Sequence, residues 1–275
     1  MLKRLFRQTL KKIYLFNISK KLYNLSINWQ RRLYNYLFPT AKILLYHRVA
    51  NSNDDPHNLC VSPENFQKQM EYLKENFKII PLVQLVQNIR TKGVQNNSII
   101  ITFDDGYADN LHNALPILEE FNVPATIFLT AGYVSLNKPF YWDENTTIKN
   151  RGWPMSAGEA KTLSNNSLIE IGGHTINHPK LAKLPENEQI KEINRGKQIL
   201  EEILSAPLSS FAYPFGGKDS FNKTTIKLVK KAGFNYACSN IHERVKNSSD
   251  IFALPRYVIR NWNLEEFKKE FKKFI

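Results

Sequence analysis

Two short segments carry residue types that hydrolytic chemistry uses. The first is Ser98-Ile-Ile-Ile-Thr-Phe103, an apolar run that reads as a buried strand, followed directly by Asp104-Asp105-Gly106. Like charges held close destabilise one another, so two carboxylates where a strand gives way to a loop are costly unless a cation or acid-base chemistry uses them. A solvent-facing Asp-Asp-Gly turn is the plain alternative. The second segment is Leu168-Ile-Glu-Ile171, which leads into Gly172-Gly173-His174-Thr-Ile-Asn-His178. Two histidines four apart, joined by one carboxylate from elsewhere, make a three-ligand set that leaves a metal position open for water. Isolated pairs of that spacing are usually chance. Here the histidines and the carboxylates both sit at strand ends, separated by one αβ repeat and a long loop, as neighbouring strand ends are.

Those strand ends need a scaffold. From Ala41 onward short apolar runs alternate with amphipathic stretches, the pattern of repeated β and α units around a parallel sheet or barrel. Strands are expected at Ile43 to Tyr46, Ser98 to Phe103, Ala125 to Thr130, Leu168 to Ile171, Ser209 to Tyr213, Tyr236 to Ser239 and Tyr257 to Ile259, with a short one near Lys78 to Ile80. Helices are expected at Pro63 to Asn76, Leu82 to Thr91, Asp109 to Phe121, Ser156 to Leu163, Glu186 to Leu204, Thr224 to Ala232 and Leu264 to Phe274. The count predicts an incomplete barrel, in which catalytic groups gather at the C-terminal edge of the strands. Gly132 to Trp153 lacks periodicity and reads as a long loop bearing Tyr133, Phe140, Tyr141, Trp142 and Asp143. Its aromatics suit either stacking on sugar rings or a small packed cluster.

A chain of 275 residues, 42% hydrophobic and 23% charged, can bury one substantial core. Residues 41–275 are therefore read as one domain. The formal charge of +13 raises the question of an anionic partner. No nucleic-acid motif occurs, so nucleic acid is not expected. Residues 1–40 contain Lys3, Arg4, Arg7, Lys11, Lys12, Lys20, Lys21, Arg31 and Arg32 among apolar residues, and no acidic residue. This basic amphipathic extension suits a helix lying on an anionic membrane surface, or a terminal helix packed on the domain. No apolar run approaches the roughly 20 residues that span a bilayer, and no signal-peptide cleavage site follows, which predicts a cytoplasmic protein, peripheral on the membrane if residues 1–40 bind it. Cys60 and Cys238 lack CxxC spacing and point, if anywhere, to a reduced compartment.

Taken together, Thr102-Phe-Asp-Asp-Gly-Tyr107, His174-Thr-Ile-Asn-His178 and Phe211-Ala-Tyr-Pro-Phe-Gly216 resemble the successive motifs of the polysaccharide deacetylase family, the carbohydrate esterases with a NodB homology domain. The resemblance covers roughly Ala41 to Phe274. It implies a distorted (β/α)7-type barrel and a hydrolysis in which metal-bound water attacks the acetamide carbonyl of an N-acetylated sugar, in a polysaccharide or lipid-linked glycan. It further implies Asp105, His174 and His178 as ligands, Asp104 as general base, and the backbone N–H of Phe215 as oxyanion donor, a contribution commonly worth roughly 3 to 4 kcal/mol. Two histidines and one aspartate suit zinc and also cobalt, nickel or iron. Tyr107, Tyr213 and Trp142 are expected at the substrate.

Two departures refine the expectation. The Leu-x-x-His motif that supplies a general acid near the C-terminus of many members occurs here at the start of the domain, as Leu44-Leu-Tyr-His47. That order resembles the circularly permuted branch, which includes deacetylases of poly-N-acetylglucosamine, and makes His47 the candidate acid. Many members also carry an Arg in the third motif that orients the catalytic Asp, where this chain has Ala212. Arg256, isolated in the apolar Leu254-Pro-Arg-Tyr257, is expected to pair with Asp104 instead. His57, His112 and His242 match no motif and are assigned surface or packing roles. An O-deacetylase or another amidase would use the same groups. A catalytically idle carbohydrate-binding member would be marked by a broken ligand set, and Asp104, Asp105, His174 and His178 are all present.

Overall fold

The computed structural model describes residues 39–136, 138–144 and 152–274. The expected basic extension, but for its last two residues, lies outside them. The first elements are β1 (Ala41–Tyr46), β2 (Arg48–Val49), β3 (Cys60–Val61), α1 (Pro63–Asn76), β4 (Lys78–Ile79), α2 (Leu82–Thr91) and β5 (Ser98–Phe103). A five-residue π-turn, Asn110–Ala114, then runs into α3 (Leu115–Glu120), followed by β6 (Ala125–Leu129), α4 (Ala131–Leu136), α5 (Ala157–Ser164) and β7 (Ile169–Gly173). The chain ends with α6 (Glu186–Leu204), β8 (Ser210–Ala212), α7 (Lys223–Lys231), β9 (Tyr236–Cys238), β10 (Tyr257–Val258) and α8 (Leu264–Lys273).

All strand pairs of the main sheet are parallel, in the order β10-β1-β5-β6-β7-β8-β9. Parallel neighbours need crossovers long enough for a helix, and the helices wrap the sheet into a curled, incompletely closed barrel. β4 takes the lower half of one β5 edge (Lys78 opposite Ser98) and β6 the upper half (Ile101 opposite Ala125). A single parallel bridge, Cys238 to Leu254, links the end of β9 to the segment that feeds β10.

Side chains alternate across each strand, and the alternation sorts the core in two. Leu44, Tyr46, Ile99, Ile101, Phe103, Ile127, Leu129, Ile171 and Phe211 join the larger cluster, which includes Phe66, Leu163, Leu200 and Phe267 of the helices. Ile43, Ile100, Phe128, Ala212, Tyr236 and Cys238 form the smaller cluster on the other face of the sheet. Gly172 is on that face too; a Cβ there would stand 2.4 Å from Phe128 Cδ1 and 2.7 Å from Ser210 Oγ.

Helix α1 matches its expected bounds because its signals are local: the Ser62 side chain accepts from the Asn65 amide and Pro63 opens the first turn. The helix expected over 109–121 is split, because Pro116 has no N–H for a regular ladder and the turn before it widens to π geometry. Helix α4 takes up the start of the segment that reads as loop, from Gly132, and begins one residue before it. Its Ala131, Gly132, Tyr133 and Val134 are consecutively buried, so no polar face gives it a helical period. The pair β2 and β3, two residues each, is too short to leave a pattern. No described helix is long and apolar enough to cross a membrane, and Cys60 and Cys238 are free and buried.

Candidate active site

The two aspartates leave β5 in different directions. Asp104 continues the ladder, donating its amide to Tyr46 O at 3.1 Å. Asp105 then turns left-handed, with φ +74°, and Gly106 follows at φ +85°, where a Cβ would lie 2.6 Å from Leu129 Cδ2. Eight non-glycine residues among those described have positive φ, and four of them, Asp105, Thr175, His178 and Phe215, are at this site. Such backbone costs about 1–3 kcal/mol each and persists only where surrounding structure enforces it. For Thr175 to His178 the enforcement is visible. Glu192 of α6 accepts the amides of Ile176 and Asn177, both at 2.9 Å, and Thr175 Oγ1 accepts the His178 amide at 3.0 Å. Glu192 belongs to no motif, and nothing in the sequence separates it from the other carboxylates of an amphipathic helix.

His174 Nδ1 is 2.7 Å from Ala212 O. A carbonyl only accepts, so Nδ1 carries the proton and Nε2 presents a lone pair. That Nε2 is buried without a hydrogen-bond partner, 3.6 Å from Asp105 Oδ1, and His178 Nε2 is 3.4 Å from the same oxygen. Asp105, His174 and His178 are all buried, and their three candidate ligand atoms lie within 4.8 Å of one another. Burial pushes both imidazoles down, His178 well down, so neither ring tends to bring a second proton. Burial, then the fields of Asp104 and Asp143, push Asp105 well above the usual carboxylate range. The cluster is thus a convergence of acceptors that asks for a positive charge. A divalent cation fits the donor set, and a proton on Asp105 competes with it.

Arg256 stands immediately before β10, two strands from β5, and is fully buried. Its guanidinium grips Asp104 with both arms, Nη1 to Oδ1 at 2.8 Å and Nη2 to Oδ2 at 2.7 Å, while Nε donates to Ser239 O at 2.8 Å. Burial, the largest single effect, would raise the Asp104 pKa; the charge and hydrogen bonds of Arg256, with the fields of His174 and His47, together outweigh it and hold the carboxyl at about 2. Asp104 is therefore an anion at neutral pH. Arg256 comes from β10, on the far side of β1, rather than from an adjacent strand.

A cleft of about 350 Å³ opens over the cluster, with His47, Asp104, Asp105, Trp142, His178 and Phe215 in its wall. His47, at the end of β1, is partly buried, and burial lowers its pKa to about 4, so the ring is neutral at rest. The Phe215 amide has no acceptor among the described residues; the residue is 44% exposed and its ring leans on His178 at 4.8 Å. Trp142 tilts against His178 from the other side at 4.7 Å. The other two residues expected at the substrate are not in the cleft. Tyr107 is fully buried behind Trp142, accepting from its Nε1 at 2.8 Å and donating to Asp143 Oδ2 at 2.7 Å. The left-handed turn at Gly106 takes it off the strand line. Tyr213 is buried beside Phe211 on the helix-facing side, stacked on Phe221 at 4.2 Å and donating to Phe252 O.

The grip on Asp104 is open to a double-mutant cycle. Arg256→Met alone leaves a buried carboxylate unpaired and is expected to cost about 3–5 kcal/mol in urea unfolding at pH 7. Adding Asp104→Asn should recover a substantial part of that loss. Additive losses would show that the two side chains are not coupled.

Comparison with known proteins adds to this geometry. The family model described as polysaccharide deacetylase matches residues 91–237, which include Asp104, Asp105, His174, His178 and Phe215 and leave His47 and Arg256 outside. A poly-beta-1,6-N-acetyl-D-glucosamine N-deacetylase of Staphylococcus aureus is 27% identical over 256 residues, covering 86% of this chain and 84% of that protein. Among solved structures, the Streptococcus pyogenes deacetylase PplD in complex with acetate superposes with a TM-score of 0.70 at 20% identity, over 84% of this chain and 97% of its own. IcaB from Ammonifex degensii gives 0.66 at 23% identity, over 80% and 91%. Both likenesses are of fold. With more than half of its length matched by the family model, the chain belongs to the polysaccharide deacetylase family.

Proposed function

We propose that this polysaccharide deacetylase is a metal-dependent N-deacetylase that hydrolyses acetamido groups of an N-acetylated glycan. The observation that carries the reading is the meeting of two imidazole nitrogens and one carboxylate oxygen, with the His174 Nε2 lone pair unpartnered, in a buried cluster at the floor of the cleft. Zinc, or cobalt, nickel or iron of similar ligand preference, would supply Lewis acidity to the acetamide carbonyl there and acidify a water molecule.

The remaining steps fall to side chains of the chain itself. Asp104, anionic and oriented by Arg256, takes a proton from the attacking water through a carboxylate lone pair that Arg256 does not use. Held at about 2, it does not retain that proton. His47, neutral at rest, takes up the proton that Asp104 releases and gives it to the departing amine as the C–N bond breaks, so the proton removed from water ends on the product. The Phe215 amide, with no other acceptor, faces the oxyanion that develops on the carbonyl. Tyr141, Trp142 and Phe215 line the cleft with apolar ring surface against which a sugar face can stack. The name of the Staphylococcus relative supports N-acetylglucosamine polymers as the substrate class.

Acetate release from N-acetylglucosamine oligomers tests the reading. Activity should vanish on thorough chelation and return with added zinc or cobalt. Asp104→Asn should lower kcat by about 10²–10⁴-fold. In Arg256→Met the largest of the effects that oppose burial of Asp104 is lost, so its carboxyl titrates higher and the acid limb of any residual activity moves to higher pH. Turnover that survives chelation sinks the proposal.

Residues 1–40, with nine Lys and Arg and no acidic residue, are proposed to bring the enzyme to an anionic membrane surface. The full chain should co-sediment with phosphatidylserine vesicles in low salt and release in high salt. A chain starting at residue 41 should stay in the supernatant; equal sedimentation of the two would refute the idea.

A further inference from the structure

Two buried arginines behind the site are neutralised where they stand. Arg256 is paired with Asp104, and Arg48 with Asp109, Nε to Oδ2 at 2.9 Å. Arg260 is different. It lies two residues past β10 and lines the cleft with His47 and His57. Its Nη1 donates to His57 O at 3.3 Å and to Asn58 O, which ties down the 57–58 loop. A guanidinium has five N–H groups, so the three on Nε and Nη2 are left without an acceptor among the described residues. No described carboxylate is within ion-pair distance of it. Asp55 is the acidic group whose field reaches it, and the Asp55 oxygens already accept the amides of Leu59 and Cys60.

The charge balance of the cleft makes this informative. Asp104 is satisfied by Arg256, and Asp105 would be satisfied by the cation proposed above, so the Arg260 charge is left over next to that cation. A partly buried cation beside another is unfavourable unless an anion joins them. Arg260 is also in the wall of a second recess of about 670 Å³, lined by Asn51, Asn53, Asn58, Asn261, Trp262 and Asp55, whose oxygens are engaged by the loop amides. Amides and an indole suit hydroxyl groups and a sugar face.

We propose that Arg260 is a specificity residue that binds an anionic substituent, a carboxylate or a phosphate, on the sugar adjoining the one that is deacetylated, with that neighbouring sugar reaching toward the amide-lined recess. This rests on the N-deacetylase reading. The planar fork of free N–H groups matches a carboxylate or phosphate in two-point contact, which a lone hydroxyl cannot fill.

The test uses the full-length, zinc-loaded protein and acetamido-sugar oligomers of equal length: one neutral, one with carboxylates on alternate sugars, one with 6-phosphates. The wild type should show a higher kcat/KM on at least one charged oligomer than on the neutral one, and which one identifies the anion. Arg260→Gln should cut that preference about tenfold, equivalent to about 1.4 kcal/mol. Arg260→Lys, which keeps the charge but gives up the planar fork and the clasp on the 57–58 loop, should retain only part of it. No preference in the wild type, or a preference that Arg260→Gln leaves intact, overturns the inference. If the wild type deacetylates none of the three, the N-deacetylase reading has failed, and calorimetric binding of the same oligomers decides this inference alone: a charge preference abolished in Arg260→Gln supports it, and equal binding of charged and neutral oligomers overturns it.

Discussion

Two carboxylates adjacent in the chain, both buried, have to be kept from acting on each other as bare like charges. The fold separates their fates at one peptide unit. Asp104 stays in line with β5 and meets Arg256; Asp105 turns left-handed and meets His174 and His178. One is made a permanent anion by an internal counter-charge, the other is left facing acceptors. Had both been paired to arginines there would be no place for a metal ion, and had neither been, burial would protonate both and leave no base. The division of labour between the two positions follows from where the Arg256 guanidinium is placed.

That guanidinium arrives from an unexpected direction. The third motif has Ala212 where a family Arg was expected, and the backbone carbonyl of Ala212 orients His174. Arg256 reaches Asp104 from the residue before β10, over Phe128 at 5.6 Å, and Phe128 in turn occupies the space that the missing side chain of Gly172 leaves. Around this centre the strain is concentrated in the loops that carry Asp105, Thr175, His178 and Phe215, and it is held by hydrogen bonds from outside the motifs, those of Glu192 above all.

The strands and the long helices were legible because their signals are local: apolar runs with defined ends, a Ser62 cap, a 3.6-residue period in α6. The gathering of Asp104, Asp105, His174, His178, His47 and Phe215 at one edge was legible for a topological reason, since each follows a strand of one parallel sheet. What escaped depends on contacts distant in sequence. Tyr107 and Tyr213 look like substrate residues by type and position, but a left-handed glycine and strand alternation bury them. Helix α4 is buried on consecutive residues and so has no period to read. Nothing near Arg260 or Glu192 in the sequence distinguishes them from surface charges; their meaning comes from a loop carbonyl and a strained turn brought to them by folding.

The central claim, that Asp105, His174 and His178 form an acceptor cluster completed by a cation while Asp104 is already compensated, is tested most directly by calorimetric titration of zinc into chelated protein at pH 7. One ion per chain should bind, binding should weaken sharply in Asp105→Asn and His174→Ala, and it should survive in the paired Arg256→Met, Asp104→Asn variant. Failure of the wild type to bind zinc, or equal affinity in Asp105→Asn, would contradict the account.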